Sequence, residues 1–192
     1  MRGTGSRLAL LAVLAVIADA APAVAQTADT PARAAAGGGP PTVGAATGLV
    51  LPRFVSLKSD RVNLRQGPST DYPTSWVYRR PGLPLEVIRE LEGWRQVRDA
   101  DSATGWVLQT SLSGRRTALV LPWEVMPGKP APEVALRAEE RDGASIVANV
   151  EAGVIANVRS CNGRWCYVTI GEFKGYIEQK KLWGVYEAEV IK

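Results

Sequence analysis

From Phe54 onward, short runs of alternating apolar and polar residues are separated by clusters of glycine, proline, aspartate and serine. In VNLRQGPSTDYP, residues 62–73, Val62 and Leu64 alternate with Asn63 and Arg65 before Gly67-Pro68-Ser69-Thr70-Asp71 interrupts the pattern. Two-residue alternation predicts a half-buried strand, and the small polar run predicts a turn. No apolar pattern of helical period continues beyond about two turns, so the chain reads as all-β. Residues 26–52 differ: they are mostly Ala, Gly, Pro and Thr with no apolar period. Such a segment cannot bury a core and is expected to be a flexible linker.

The strand pattern occurs twice. Leu64-Arg65 returns as Leu136-Arg137, Gly82 as Gly153, and Trp94 of GWRQV as Trp165 of RWCYV. Gly105-Trp106-Val107 returns as Gly175-Tyr176-Ile177, and Leu112-Ser113-Gly114 as Leu182-Trp183-Gly184. The offset stays between 70 and 72 residues across these anchors, so the copies differ by short loop changes. Each copy, about 60 residues long, has room for five or six short strands. A sheet that small must cover its edges, and a strongly bent barrel does so. Trp94, Trp165, Trp106 and Tyr176 are expected to fill or cap these barrels. The predicted organisation is a first barrel over 53–121, a connector over 122–131 and a second barrel over 132–192.

The N-terminal segment belongs to neither copy. Arg2 and Arg7 flank the start of an unbroken apolar run from Leu8 to Ala18, followed by Ala23-Val24-Ala25. That is the layout of a secretory signal peptide, and the run is too short to span a bilayer. Residues 1–25 are therefore read as an export signal, and the protein as exported to a periplasm or the extracellular space. The only cysteines, Cys161 and Cys166, flank the hairpin-type dipeptide Asn162-Gly163. Folding back there sets them on adjacent strands, and an oxidising compartment favours a disulfide. A metal pair would lack further ligands, and the spacing is not the redox C-x-x-C.

Charge and composition mainly exclude. Residues 53–116 carry 11 basic and 7 acidic side chains, and residues 129–192 carry 9 of each. That excess is too small to argue for nucleic acid. The chain has no histidine, which excludes Ser-His and Cys-His nucleophile pairs and histidine-ligated metals. Ser69 and Thr70 thus lack a base, and the Gly-Pro-Ser turn lacks the Gly-Lys-Ser/Thr of a phosphate cradle. No catalytic residue, metal or cofactor is expected.

The stretch VNLRQGPSTDYP, the Gly82 turn, LPLEVIRELEGWRQV, TGWV and the closing SLSG together resemble a bacterial SH3-like (SH3b) domain. SGRRTALV, followed by a second copy with SCNGRWCYV and KKLWGVY, is similar to exported bacterial proteins with tandem SH3 domains. The second copy departs from the pattern, since LRAEERDGASIV lacks the Gly-Pro-Ser turn. The resemblance implies two SH3-like barrels, each with an excursion after its first strand and a 3-10 turn near its end. In the first copy these fall at Arg65 to Trp76 and Gln109 to Leu112. It also implies a non-catalytic module that recognises peptidoglycan or another cell-wall component. The alternative is a scaffold whose tandem barrels hold an envelope protein.

Residues present in one copy only are the candidates for a ligand site. Tyr72, Trp76 and Tyr78 cluster in or beyond the excursion, and Trp123 lies in the connector. Rigid aromatic faces with polar edges suit sugar rings and peptide stems. Arg79 and Arg80 follow directly and suit a wall carboxylate. The competing reading is that Trp76 and Trp123 seal the junction between barrels. Arg65, matched by Arg137, is expected to serve structure more than ligand.

Overall fold

The computed structural model describes residues 41–192; the expected export signal and residues 26–40 of the linker lie outside the described residues. Strands β1 (Thr42–Val43) and β2 (Val50–Leu51) form a hairpin. The next seven strands are β3 (Arg53–Leu57), β4 (Val62–Arg65), β5 (Thr74–Tyr78), β6 (Pro84–Leu91), β7 (Trp94–Arg98), β8 (Thr104–Leu108) and β9 (Leu112–Ser113). They form one antiparallel sheet in the order β5-β4-β8-β7-β6-β3-β9. The remaining strands are β10 (Thr117–Val120), β11 (Glu133–Arg137), β12 (Ile146–Glu151), β13 (Ile155–Asn162), β14 (Trp165–Ile170), β15 (Phe173–Glu178), β16 (Leu182–Trp183) and β17 (Val190–Ile191). Their sheet runs β12-β11-β15-β14-β13-β10-β16, with β17 added to β13.

The two sheets repeat each other in pairing and in irregularity. Register shifts fall at Leu64/Arg65 and Val87/Arg89 in the first sheet, and at Leu136/Arg137 and Val158/Ser160 in the second. Extra residues at such bulges bend strands and tighten twist, which lets a short sheet curl round a core. The alternation read from the sequence gives the inward face: Val62 and Leu64 of β4 are buried while Asn63 is exposed. Leu57, Leu85, Val97 and Val107 complete the first core; Val120, Leu136, Val168, Ile177 and Leu182 fill the second. A 3-10 turn recurs late in each sheet, Gln109–Ser111 before β9 and Gln179–Lys181 before β16.

Two boundaries drawn from the sequence are corrected. Thr117–Val120, assigned above to the first barrel, pairs with β13 and β16 and opens the second sheet. Ala118 and Val120 are wholly buried there, so the apolar run is that sheet's first strand. Residues 122–131 are consequently an excursion within the second unit and do not connect two units. The linker call over residues 26–52 also ends too late, because residues 42–51 form the β1–β2 hairpin. Leu51 is buried in the first core, which gives this Ala/Gly-rich segment an anchor.

Glu90 holds the hairpin in place. The backbone N–H groups of Ala46 and Thr47 and the Thr47 hydroxyl donate to its carboxylate at 3.2, 3.0 and 2.8 Å. Arg53 Nη2 lies 2.6 Å and Arg95 Nε 3.4 Å from the same group. Burial opposes the charge on Glu90, but the Thr47 and Arg53 hydrogen bonds and the Arg53 and Arg95 charges outweigh it and hold the carboxyl below its ordinary value. A depressed folded value stabilises the structure above the unfolded carboxylate range and loses that contribution as pH falls through the folded value. Acid should therefore release the hairpin. In a pH titration followed by NMR, the Ala46 and Thr47 amide resonances should move with a midpoint below the usual glutamate value of about 4.3. A midpoint at or above that value would contradict the assignment.

Cys161 and Cys166 form a disulfide and face each other in register across β13 and β14. The turn between them is set locally. Gly163 takes φ of +94°, and the Asn162 side-chain oxygen accepts the N–H groups of Arg164 and Trp165 at 2.9 and 2.8 Å. Positive φ is what glycine tolerates, and asparagine closes such turns through its side chain. Both sulfurs lie in the second core.

Candidate functional site

β5 is an edge strand, paired on one side by β4, with Leu64 opposite Trp76. Its outward residues therefore meet solvent, and Trp76 is 62% exposed. Beyond β5 the chain turns at Gly82, whose φ is +76°, and enters β6 against the second unit. A groove of about 850 Å³ forms there, and Trp76, Arg79, Arg80, Asp99 and Asp101 are among the residues that line it. Leu83 and Pro84 of the first unit and Leu119 of the second supply an apolar floor. The groove thus offers a flat aromatic face, apolar ground and charges of both signs.

The six candidate residues separate into groups. Trp76, Tyr78, Arg79 and Arg80 all line this groove. Tyr78 does so as a fixed wall: it is 4% exposed and its hydroxyl donates to Asp99 at 2.9 Å. Burial, then the neighbouring Asp99 charge and hydrogen bond, push its phenol well above its ordinary value. The reading of Tyr78 as a presented aromatic face is thereby corrected. Arg80 donates to the Gly153 carbonyl at 2.9 Å and so bridges the two units, while Arg79 stands exposed beside it. Tyr72 and Trp123 are absent from the groove lining. The Tyr72 ring lies against Gly67, where a Cβ would come within 2.6 Å of it. Trp123 sits in the 3-10 turn Pro122–Glu124 after β10 and is half exposed.

Arg65 has the structural task that its repetition suggested. Its Nη1 donates to the carbonyls of Thr70 and Tyr72 at 3.0 and 2.6 Å, tying down the Gly-Pro-Ser turn. Arg137 does the same for its own loop, donating to the Ala144 carbonyl at 2.8 Å. Of the repeated aromatics, Trp106 and Trp165 are buried, while Trp94 and Tyr176 are half-buried.

The junction between units is filled by residues to which the sequence comparison gave no such role, although Trp183 stood in one of its repeated anchors. Phe54 packs edge-on against Trp183 with ring centroids 5.1 Å apart, and lies 4.7 Å from the Tyr186 ring. The Tyr186 hydroxyl donates to Glu86 at 3.1 Å, and Glu86 also takes both Nε and Nη2 of Arg98. Thr117 donates to the Gly82 carbonyl at 2.7 Å from a fully buried position. Trp183 and Tyr186 are unrepeated aromatics, like Trp76, and that shared property was the available signal. Phe54, Trp183 and Tyr186 pack together in the junction, while Trp76 lines the groove and stays largely exposed.

A family model described as the bacterial SH3 domain matches the chain twice, over residues 58–114 and 130–184. No curated protein matches the chain. Among solved structures, NlpC2 from Trichomonas vaginalis is similar at 14% identity over 69% of this chain and 48% of its own length, with a TM-score of 0.31. An NlpC/P60 family protein from Bacillus cereus is similar at 8% identity over 70% of this chain and 57% of its own, with a TM-score of 0.29. The chain thus spans about half the length of these structures.

Proposed function

Because the chain belongs to the bacterial SH3 domain family, we propose that it is an exported, non-catalytic module that holds peptidoglycan in the groove beside Trp76. The observation carrying this reading is an exposed tryptophan face over an apolar floor, flanked by unlike charges. Peptidoglycan offers the matching parts. A sugar ring stacks on an indole face, a stem-peptide carboxylate suits Arg79, and an ammonium suits Asp101. A histidine-free chain with this groove supports binding in preference to turnover. A disulfide in the second core is compatible with export, as is the fact that, among the described residues, no helix is long and apolar enough to cross a membrane.

Co-sedimentation with purified sacculi tests the reading. The chain should pellet with sacculi, and Trp76→Ala should weaken binding by about tenfold, equivalent to about 1.4 kcal/mol. Its thermal stability should hold, since the indole is largely solvent-exposed. Trp123→Ala, outside the groove lining, should leave binding unchanged. Absence of sedimentation across a range of salt concentrations would sink the proposal.

A further inference from the structure

The first unit carries a second cavity of about 380 Å³ that shares no residue with the groove. Three cationic side chains line it, Arg53, Lys58 and Arg95, and no carboxylate does. Glu90 contacts Arg53 Nη2 and Arg95 Nε, so it offsets one of the three charges. Arg95 is 3% exposed and spends Nη1 on the Glu92 and Trp94 carbonyls and Nη2 on the Gln109 side-chain oxygen. Arg53 is only half spent: its Nη1 is buried and meets no acceptor. Nη1 therefore faces protein and not the cavity, and what Arg53 brings to the wall is its positive charge.

The other polar groups point to the same chemistry. Gln109 has its oxygen taken by Arg95, which leaves its amide nitrogen to donate. Ser113 Oγ accepts the Arg115 N–H at 3.2 Å, which leaves its own hydroxyl hydrogen to donate. Lys58 is exposed at the cavity. Beneath these donors lie the buried apolar side chains of Val55, Val87 and Leu112. We propose that this cavity binds a carboxylate borne on a small apolar group, specifically the terminal carboxylate of a short peptide. The donors take the two oxygens, and the apolar floor takes the side chain next to them. A volume near the low end of small-ligand sites admits a terminal residue in preference to a folded partner. The site is independent of the Trp76 groove, so either can fail without the other.

NMR titration of the chain with N-acetyl-alanyl-alanine tests this. Resonances of Lys58 and of residues 109–114 should shift, and the amide-capped dipeptide should leave them in place. Lys58→Glu should weaken binding by about fivefold or more, the order expected for one partly exposed ion pair. Gln109→Leu, which removes the free amide donor at the cavity wall, should weaken it as well. Lys58 is exposed, so its variant folds regardless and keeps the test decisive. Equal shifts from the capped dipeptide, undiminished binding by both variants, or response to inorganic phosphate alone would each overturn the proposal.

Discussion

Replacing Glu86 with alanine should lower the free energy of unfolding by about 3 kcal/mol, near the lower end for breaking a buried ion pair. Glu86 is 1% exposed and serves two partners from different units, Arg98 of β7 and the Tyr186 hydroxyl. Its removal takes away the hydrogen-bond partner that a guanidinium and a phenol share at the junction. Arg98 keeps 24% side-chain exposure, so water recovers part of its loss, which is why the lower end applies. For a chain of this length the melting temperature should fall by about 6–12 °C. Tyr186→Phe removes only the phenolic hydrogen bond and should cost about 1 kcal/mol, which separates the contribution across the junction from that within the first unit. Calorimetry of both variants provides the check, and a Glu86→Ala loss within 0.5 kcal/mol would refute the account. The consequence reaches the proposed binding groove, because Leu119 of the second unit lines it together with Leu83 and Pro84 of the first. A looser junction alters the groove without touching Trp76.

The parts legible in the sequence were those governed by local period and by repetition. Alternation in VNLR gave the inward face of β4, and Asn162-Gly163 placed the hairpin that brings Cys161 and Cys166 together. The Leu-Arg and Gly-aromatic anchors aligned because each performs the same task twice: Arg65 pairs with Trp106 across β4 and β8, and Arg137 with Tyr176 across β11 and β15. The first strand of the second unit was hidden by a loop. Four residues separate β3 from β4, whereas twelve separate β10 from β11, so the repeat offset breaks upstream of Leu136. The β1–β2 hairpin was hidden for another reason, since its anchor Glu90 lies more than forty residues away. Distance also hid the junction, where Glu86 and Tyr186 are 100 residues apart. Of the proposed groove, the aromatic and basic side could be read from unrepeated residues near one another in sequence. Its floor could not, because Leu119 arrives only through the docking of two sheets.

Gly175→Ala should be among the most damaging single-methyl changes in the chain, costing about 3 kcal/mol, the upper end for overpacking a core. A Cβ at this position would lie 2.5 Å from the Arg137 carbonyl oxygen and 2.9 Å from Leu136 Cγ. The first contact is backbone in a paired strand, which cannot yield as a side-chain tip does, and Leu136 is wholly buried. The equivalent Gly105 faces the same obstruction, with Leu64 Cγ at 2.6 Å and the Arg65 carbonyl oxygen at 2.8 Å. Glycine recurs before the aromatic in both copies because β8 and β15 must approach the bulged Leu-Arg step closely enough to pair with it. Gly114→Ala supplies the control: nothing lies within 4 Å of its Cβ position, so it should change stability by no more than about 0.5 kcal/mol. Chemical denaturation of the three variants should show two large losses and one near-zero change. If Gly175→Ala and Gly105→Ala proved as mild as Gly114→Ala, close strand approach would no longer explain why the glycine is repeated.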